Sequence, residues 1–350
     1  MNTWSIFSNN TTLEVGVFCV SGTFALFALL LTAYLIFRHV KHWTDPEAQR
    51  AIVRILFLVP VYGIVSWLAI VFGDYALYFT LVRDCYEAYA LYQFFCLLVH
   101  YLQEAMSAFM TLDEAFSTTD QLDPGELIST YGERRLAAPF CMFTYQPGKR
   151  VFVHIKRCSL QYVFVKPTLT AVAILLQMLG KYHEGSLSIR YGFLWITLML
   201  NISAALAFYF IFLFYELIKH SIFMYHPLLK LISIKILVFF IFWQSMILAI
   251  LYHFHVIPGF FGWSVERSSS TAQNMLICLE MVCLSIFNFQ AFPYAEYRSP
   301  TGENSYEIAL ETLSSVVSQK DIVKDTKEVF ITPHKHFFER GEKTKDEHTD

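Results

Sequence analysis

Charge is scarce in this sequence of 350 residues. Asp, Glu, Lys and Arg make up 16% of it, whereas about a quarter of a soluble domain is charged. Hydrophobic residues account for 55%, and the mean hydropathy is +0.45. These values exclude an ordinary soluble domain. The formal net charge of −3 gives no indication of a nucleic-acid partner.

Motifs of known catalytic chemistry are also missing. The sequence has no His-Glu-x-x-His, no histidine and cysteine cluster at metal-ligand spacing, and no Walker A motif. His253 and His255 are two residues apart near a helix end, so they point to different faces. The sequence therefore predicts that the protein is not an enzyme and holds no cofactor and no metal.

Seven long apolar stretches are what the sequence does contain. A helix needs roughly 20 apolar residues to cross a bilayer, and each stretch is long enough. They lie at about 15–37, 52–72, 76–99, 160–179, 193–215, 231–252 and 272–292. The first is too long for a signal peptide and has no basic residue before it. We therefore predict an all-α, seven-helix transmembrane bundle over residues 1–292, followed by a polar tail over 293–350.

The lysines and arginines are distributed unevenly between the loops. None precedes the first stretch, while six lie in the loop 101–157 and eight follow residue 292. Because basic loops stay in the cytoplasm, we expect the N-terminus outside and the loop 101–157 and the tail inside. Asn9 and Asn10 begin Asn-x-Thr sequences before the first stretch. They are therefore predicted glycosylation sites.

The seven cysteines do not suggest a disulfide framework. Cys85 alone is expected near the outer surface, and no outer loop offers it a partner. Cys141 falls in the cytoplasmic loop. The other five lie in or at the edge of apolar stretches: Cys19, Cys96, Cys158, Cys278 and Cys283.

Polar residues inside the stretches are candidates for function, because a charged side chain at a helix centre costs about 2.5–3.5 kcal/mol. Gln273, Glu280 and Asn288 follow one another at steps of seven and eight, so they share a helix face. Glu280 is too deep to reach water along the helix. Lys235 and Gln244 lie in the preceding stretch. Lys235 is close enough to its end to reach the headgroups instead, and both alternatives stay open.

Charged residues lie in the first part of the third and fourth stretches, at Arg83-Asp84 and at Lys166. Asp84 and Glu87 are neighbours at i,i+3, and Asp84 is more simply explained as an interfacial residue. Tyr86, Tyr89 and Tyr92 repeat every three residues, which is typical either of helix packing or of an aromatic belt.

We predict that five of these residues line a solute path: Glu87, Lys235, Gln244, Glu280 and Asn288. Lys235 and Glu280 differ in height by about 12 Å if their helices are antiparallel. A direct ion pair is therefore not expected, and water, Gln244 or a solute group would connect them around a wet cavity.

These residues also carry a resemblance to a known family. The sequence contains Arg83-Asp84-Cys85-Tyr86-Glu87-Ala88-Tyr89, Lys166-Pro167, Val59-Pro60-Val61-Tyr62, Phe242-Trp243-Gln244 and Ile277-Cys278-Leu279-Glu280-Met281. Over about residues 38–330 it resembles the transmembrane protein 184 family, which is related to the organic solute transporter alpha subunit. The family motif is carried by Arg83, Asp84, Cys85, Tyr86, Glu87, Tyr89, Lys166 and Pro167.

The resemblance implies a seven-helix protein of the plasma membrane or endosomal membranes. Its transporter relatives move bile acids, steroids and similar amphipathic anions by facilitated diffusion, with a single-span partner subunit. The 184 branch is linked instead to vesicle traffic and, in one case, to heparin binding. The transporter subunit also has a cysteine cluster where this chain has only Cys141, so lipidation there does not carry over.

Two functions therefore compete. The first is a transporter of amphipathic organic solutes or lipids by facilitated diffusion. The second is a seven-span receptor or a trafficking factor of the 184 type. Against a rhodopsin-like receptor, the third stretch lacks Asp-Arg-Tyr at its cytoplasmic end, and Cys85 has no cysteine partner in the loop 181–192.

Overall fold

The structure is a computed structural model. It describes residues 12–112, 124–132, 134–135, 144–182, 189–253 and 265–297. The predicted glycosylation sites Asn9 and Asn10, the loop cysteine Cys141 and the tail from residue 298 lie outside these ranges.

The described chain is mostly helical. The helices are α1 Thr12–Lys41, α2 Pro46–Leu56, α3 Leu58–Val71, α4 Ala76–Leu112, α5 Pro124–Leu127, α6 Lys149–Met178, α7 Gly192–Ile218, α8 Pro227–His253 and α9 Val265–Ala291. Short 3-10 helices occupy Gly73–Tyr75, Ile128–Thr130, Phe223–Tyr225 and Tyr294–Tyr297. The strands β1 Arg134–Arg135 and β2 Thr144–Tyr145 form a small antiparallel ribbon.

Within the described residues, six helical segments are long and apolar enough to cross a membrane, judged by length and composition. They correspond to α1, to α2 and α3 together, and to α6, α7, α8 and α9. The remaining long helix, α4, is not among them, because its polar residues, Arg83, Asp84 and Glu87 included, lower its hydropathy. The multi-pass helical architecture is thus confirmed, whereas the count of seven spans and their orientation stay predictions.

The second predicted span, 52–72, is not one continuous helix. It is divided at Phe57 between α2 and α3. Pro60 explains the break, because its nitrogen carries no hydrogen to donate to the carbonyl four residues before it. Upstream, α2 begins already at Pro46, where Asp45 caps the helix by accepting the amides of Glu47 and Ala48 at 3.2 Å each.

Two helices also extend into the predicted loop 101–157. Helix α4 continues to Leu112, and α6 starts at Lys149. Tyr101 and Leu102 are buried in the main hydrophobic core together with Leu127 and Ile128. A prediction from the length of the apolar stretch ends α4 at residue 99, because beyond that point only one face of this helix is apolar.

Large apolar side chains face outward from the bundle. On α1, Leu26, Phe27 and Leu30 are at least half exposed, while charged Arg83 and Glu87 are less than a tenth exposed in the interior. Such a surface is stable in hydrocarbon and not in water. This distribution supports the membrane assignment independently of the length of the helices.

Helices α1, α3 and α9 pack closely at small residues. A Cβ on Gly63 of α3 would lie 3.7 Å from Ala25 and 3.8 Å from Met281. Gly22 of α1 lies against the indole of Trp67, which donates its N–H to the Phe18 carbonyl at 3.1 Å. Both glycines therefore bring α1 and α3 together.

Gly22→Ala should destabilise the protein. Its methyl group would stand 2.8 Å from the Trp67 indole nitrogen, so the ring must move and its hydrogen bond weakens. We expect a loss of about 1–3 kcal/mol, typical of overpacking, measured as a lower Tm of the detergent-purified protein. Gly16→Ala is the control on the same helix, since nothing lies within 4 Å of its Cβ position. Equal Tm values for the two variants would contradict this packing.

Candidate functional site

A set of polar side chains lies inside the bundle, between α3, α4, α6, α8 and α9. We call it the polar core; its members are Tyr62, Ser66, Arg83, Asp84, Glu87, Lys166, Lys235 and Asn274. Arg83 is central. Its Nη1 donates to Ser66 Oγ at 3.0 Å and to Asn274 Oδ1 at 3.4 Å, and its guanidinium lies 5.1 Å from the centre of the Tyr62 ring. One side chain of α4 thus joins α3 and α9.

Asp84 lies between two cations. Lys166 Nζ is 3.1 Å from Asp84 Oδ2, and Arg83 Nε is 3.9 Å from Asp84 Oδ1. Lys166 precedes Pro167 within α6, so this ion pair connects α4 and α6. The interfacial explanation of Asp84 is therefore incomplete: its side chain is 30% exposed, but both of its oxygens face cations. The neighbouring Cys85 is a free thiol whose sulfur contacts Thr170 Oγ1 at 3.7 Å.

Glu87 lies one turn further along α4 and faces α8. Lys235 Nζ is 3.7 Å from Glu87 Oε1, and the Tyr62 hydroxyl donates to Glu87 Oε2 at 3.3 Å. Lys235 Nζ also lies 4.9 Å from the centre of the Phe208 ring on α7. Of the two alternatives for Lys235, the structure has the interior one, with a carboxylate partner.

Glu280 forms a second, smaller group with Gln244. Gln244 Nε2 donates to Glu280 Oε2 at 3.2 Å, joining α8 and α9. Glu280 is half-buried and interacts electrostatically with Arg83, so it lies within the field of the polar core. Among the described residues, Lys235 pairs with Glu87 and not with Glu280.

Asn288 stands apart from the other predicted path residues. It is buried, but its side-chain oxygen has no hydrogen-bond partner among the described residues. The tyrosine repeat serves packing: the Tyr86 hydroxyl donates to the Arg54 carbonyl at 2.7 Å, the Tyr86 and Tyr89 rings are 5.5 Å apart, and Tyr92 is buried.

Three residues of the polar core were not among the predicted site residues: Tyr62, Ser66 and Asn274. Ser66 is a small polar residue within an almost wholly apolar stretch. Asn274 is adjacent to Gln273, which the spacing along the helix singled out instead. A polar residue within an apolar stretch is therefore a usable signal of a site residue. One sequence alone does not show which face of each helix points inward.

A cavity of about 340 Å³ opens near the turn between α3 and α4. Its lining residues are Gly73, Asp74, Ala76, Tyr78, Thr80, Gln177 and Ser270. Ser270 connects it to the polar core, because its carbonyl accepts from Asn274 Nδ2 at 2.9 Å and Asn274 in turn accepts from Arg83. One lining residue of the cavity is thus linked to Arg83 through Asn274.

An apolar outer surface around buried, paired charges defines a multi-pass membrane protein with a polar interior. The family described as organic solute transporter Ostalpha matches residues 17–297, and the chain belongs to this family. The predicted resemblance is thereby confirmed.

A transmembrane protein 184 homolog of Dictyostelium discoideum is 36% identical over 281 residues, which are 79% of this chain and 52% of that relative. The chain thus spans about half the length of this relative. No solved structure matches the chain.

Proposed function

We propose that the protein transports amphipathic organic solutes or lipids by facilitated diffusion, with the polar core and the Gln244–Glu280 pair on the solute path. Membership of a solute transporter family supports the class. The observation that carries the proposal is the set of charged side chains that lie inside a bundle with an apolar outer surface. Three of them are cationic, Arg83, Lys166 and Lys235, and three are carboxylates, Asp84, Glu87 and Glu280.

The cost of these groups argues for a use beyond packing. Each charge inside a membrane costs about 2.5–3.5 kcal/mol even on lenient scales, and apolar residues would fill the same space without that cost. The Lys235–Glu87 contact is long, at 3.7 Å. A solute head group can replace a loose partner of this kind more easily than a short, bidentate one.

Orientation and setting form part of the same proposal. The end at which α1 meets α2 carries Lys41 and Arg50 and would face the cytoplasm, so the cavity beside Gly73 would open outward or into a lumen. The membrane would be the plasma membrane or an endosomal one. A single-span partner subunit, as the transporter relatives need, would bind the apolar outer surface.

The test is flux through purified protein in vesicles. We expect saturable uptake and efflux of at least one labelled steroid sulfate, bile acid or lipid, driven only by its gradient. Glu280→Gln should lower the initial rate at least tenfold, because it removes the charge while keeping the shape and the hydrogen-bonding capacity that face Gln244.

Glu216→Gln is the matched control, since Glu216 lies at the end of α7 and pairs locally with Lys219. Expression and membrane delivery should be the same for both variants. Unchanged flux in Glu280→Gln and in Glu280→Leu would refute the polar path. Folded protein that moves no solute of the panel would favour the trafficking alternative.

A further inference from the structure

Three side chains of the types that bind metals, two carboxylates and an imidazole, converge outside the polar core, at the end of the bundle where α1 meets α2. The ligand atoms of Asp45, His100 and Glu104 all lie within 4.8 Å of one another. They come from two separate parts of the chain, the N-cap of α2 and the last turns of α4.

The backbone holds this group in place. Asp45 uses Oδ1 to cap α2, accepting the amides of Glu47 and Ala48, which leaves Oδ2 directed at His100 Nε2 at 2.6 Å. His100 and Glu104 are four residues apart on α4, so they share a helix face. Asp45 and His100 are each about one-fifth exposed, and Glu104 is exposed, which leaves a path for an ion from solvent.

The second nitrogen of His100 has a partner as well. His100 Nδ1 is 3.3 Å from Glu47 Oε2. A histidine that binds a metal typically donates its other N–H to a carboxylate, which selects the tautomer and orients the ring. Once the proton shared with Asp45 is released, Nδ1–H stays donated to Glu47 and the Nε2 lone pair is available to an ion.

Glu104 is oriented too, by a hydrogen bond from the Tyr225 hydroxyl. The carboxylates of Asp45 and Glu104 lie close together and repel each other, and a cation between them removes that repulsion.

We propose that Asp45, His100 and Glu104 bind a divalent transition metal, with Zn²⁺ the preferred ion and water in the remaining position. One imidazole and two carboxylates suit Zn²⁺, whereas Mg²⁺ and Ca²⁺ favour all-oxygen sites. Two ligand atoms that each lie about 2.1 Å from the same tetrahedral ion are roughly 3.4 Å apart. Asp45 would therefore move back from His100 by a little under 1 Å when the ion binds. The ion would fasten the α1–α2 junction to the end of α4.

The competing state is a proton in place of the ion, with His100 as an imidazolium between Asp45 and Glu47. Metal titration separates the two. The full chain, purified in detergent and stripped with a chelator, should bind one Zn²⁺ per chain and show a Zn²⁺-dependent rise in Tm. Co²⁺ at the same site should give visible absorption bands of a four- or five-coordinate ion.

Four variants test the assignment. Glu104→Gln removes a ligand at an exposed position, and Asp45→Asn removes a ligand while keeping a good N-cap, so both should fold. Each should weaken Zn²⁺ binding at least tenfold and abolish the Tm shift. Glu47→Gln should weaken binding about 10- to 100-fold with unchanged stoichiometry, as loss of an orienting partner does. His220→Ala, at an exposed histidine elsewhere, should change nothing.

No Zn²⁺ uptake by the stripped wild type would overturn the proposal in favour of the protonated state. Uptake that survives in both Glu104→Gln and Asp45→Asn would overturn it as well, since the ion would then be held by other residues.

Discussion

Lys235→Met should destabilise the protein more than the double change Lys235→Met with Glu87→Gln. The single change leaves the Glu87 carboxylate, with a side chain only 11% exposed, without its cation. Removing one partner of a buried pair costs about 3–5 kcal/mol, whereas removing both is often near neutral. We expect about 3 kcal/mol for Lys235→Met, because Lys235 is partly exposed, and recovery of most of it in the double variant.

Thermal unfolding of the purified variants measures this difference. The control is Lys219→Met, whose partner Glu216 is more than a third exposed at the end of α7, and which should change the stability by less than about 1 kcal/mol. A double variant as unstable as Lys235→Met would show that Lys235 and Glu87 are not coupled. If the pair lies on the solute path, flux should stay low in the double variant although stability returns, which separates folding from transport.

The sequence predicts some of the interior polar residues but not which of them meet. Glu87, Lys235, Gln244 and Glu280 were recognised from the cost of polar groups within apolar stretches. Their pairing depends on how each helix is rotated and tilted against its neighbours. In a membrane protein the lipid-facing and interior faces are both apolar, so hydrophobic periodicity carries little of that information. Ser66 and Asn274 were missed for the same reason.

The predicted helix boundaries were wrong for a different reason. The break at Phe57 follows from Pro60, and the early start of α2 follows from the sequence Asp45-Pro46, a capping residue before a proline at the first helical position. Both signals are local and readable. A search for about 20 apolar residues passes over them, and it also stops α4 at residue 99 although Tyr101 and Leu102 continue its buried face.

The predicted absence of a metal site rested on spacing within one segment. His100 and Asp45 are 55 residues apart, so no short motif contains them. A search for short motifs could have paired His100 only with Glu104, which lies four residues after it. Sites assembled from a helix cap and a second helix require the fold before they can be recognised.

Arg83→Lys should behave as a disruptive change and not as a conservative one. The Arg83 guanidinium reaches Ser66 on α3 and Asn274 on α9, and it lies over the Tyr62 ring. An ammonium is a single point with three donors and cannot serve groups in such different directions from one position. A buried polar group left without a partner costs about 1–3 kcal/mol. We therefore expect about 2 kcal/mol for Arg83→Lys, seen as a lower Tm.

Arg83→Met should cost more, about 3–5 kcal/mol, because Asp84 loses one of its two cations and both Ser66 and Asn274 lose their donor. Lys181→Met, at an exposed basic position, is the control and should leave Tm unchanged. Adding Asp84→Asn to Arg83→Met should deepen the loss, since it also leaves the buried Lys166 without its carboxylate. A wild-type Tm in Arg83→Lys would mean that charge alone is needed at this position, and that Arg83 does not hold α3 and α9 together through directed hydrogen bonds.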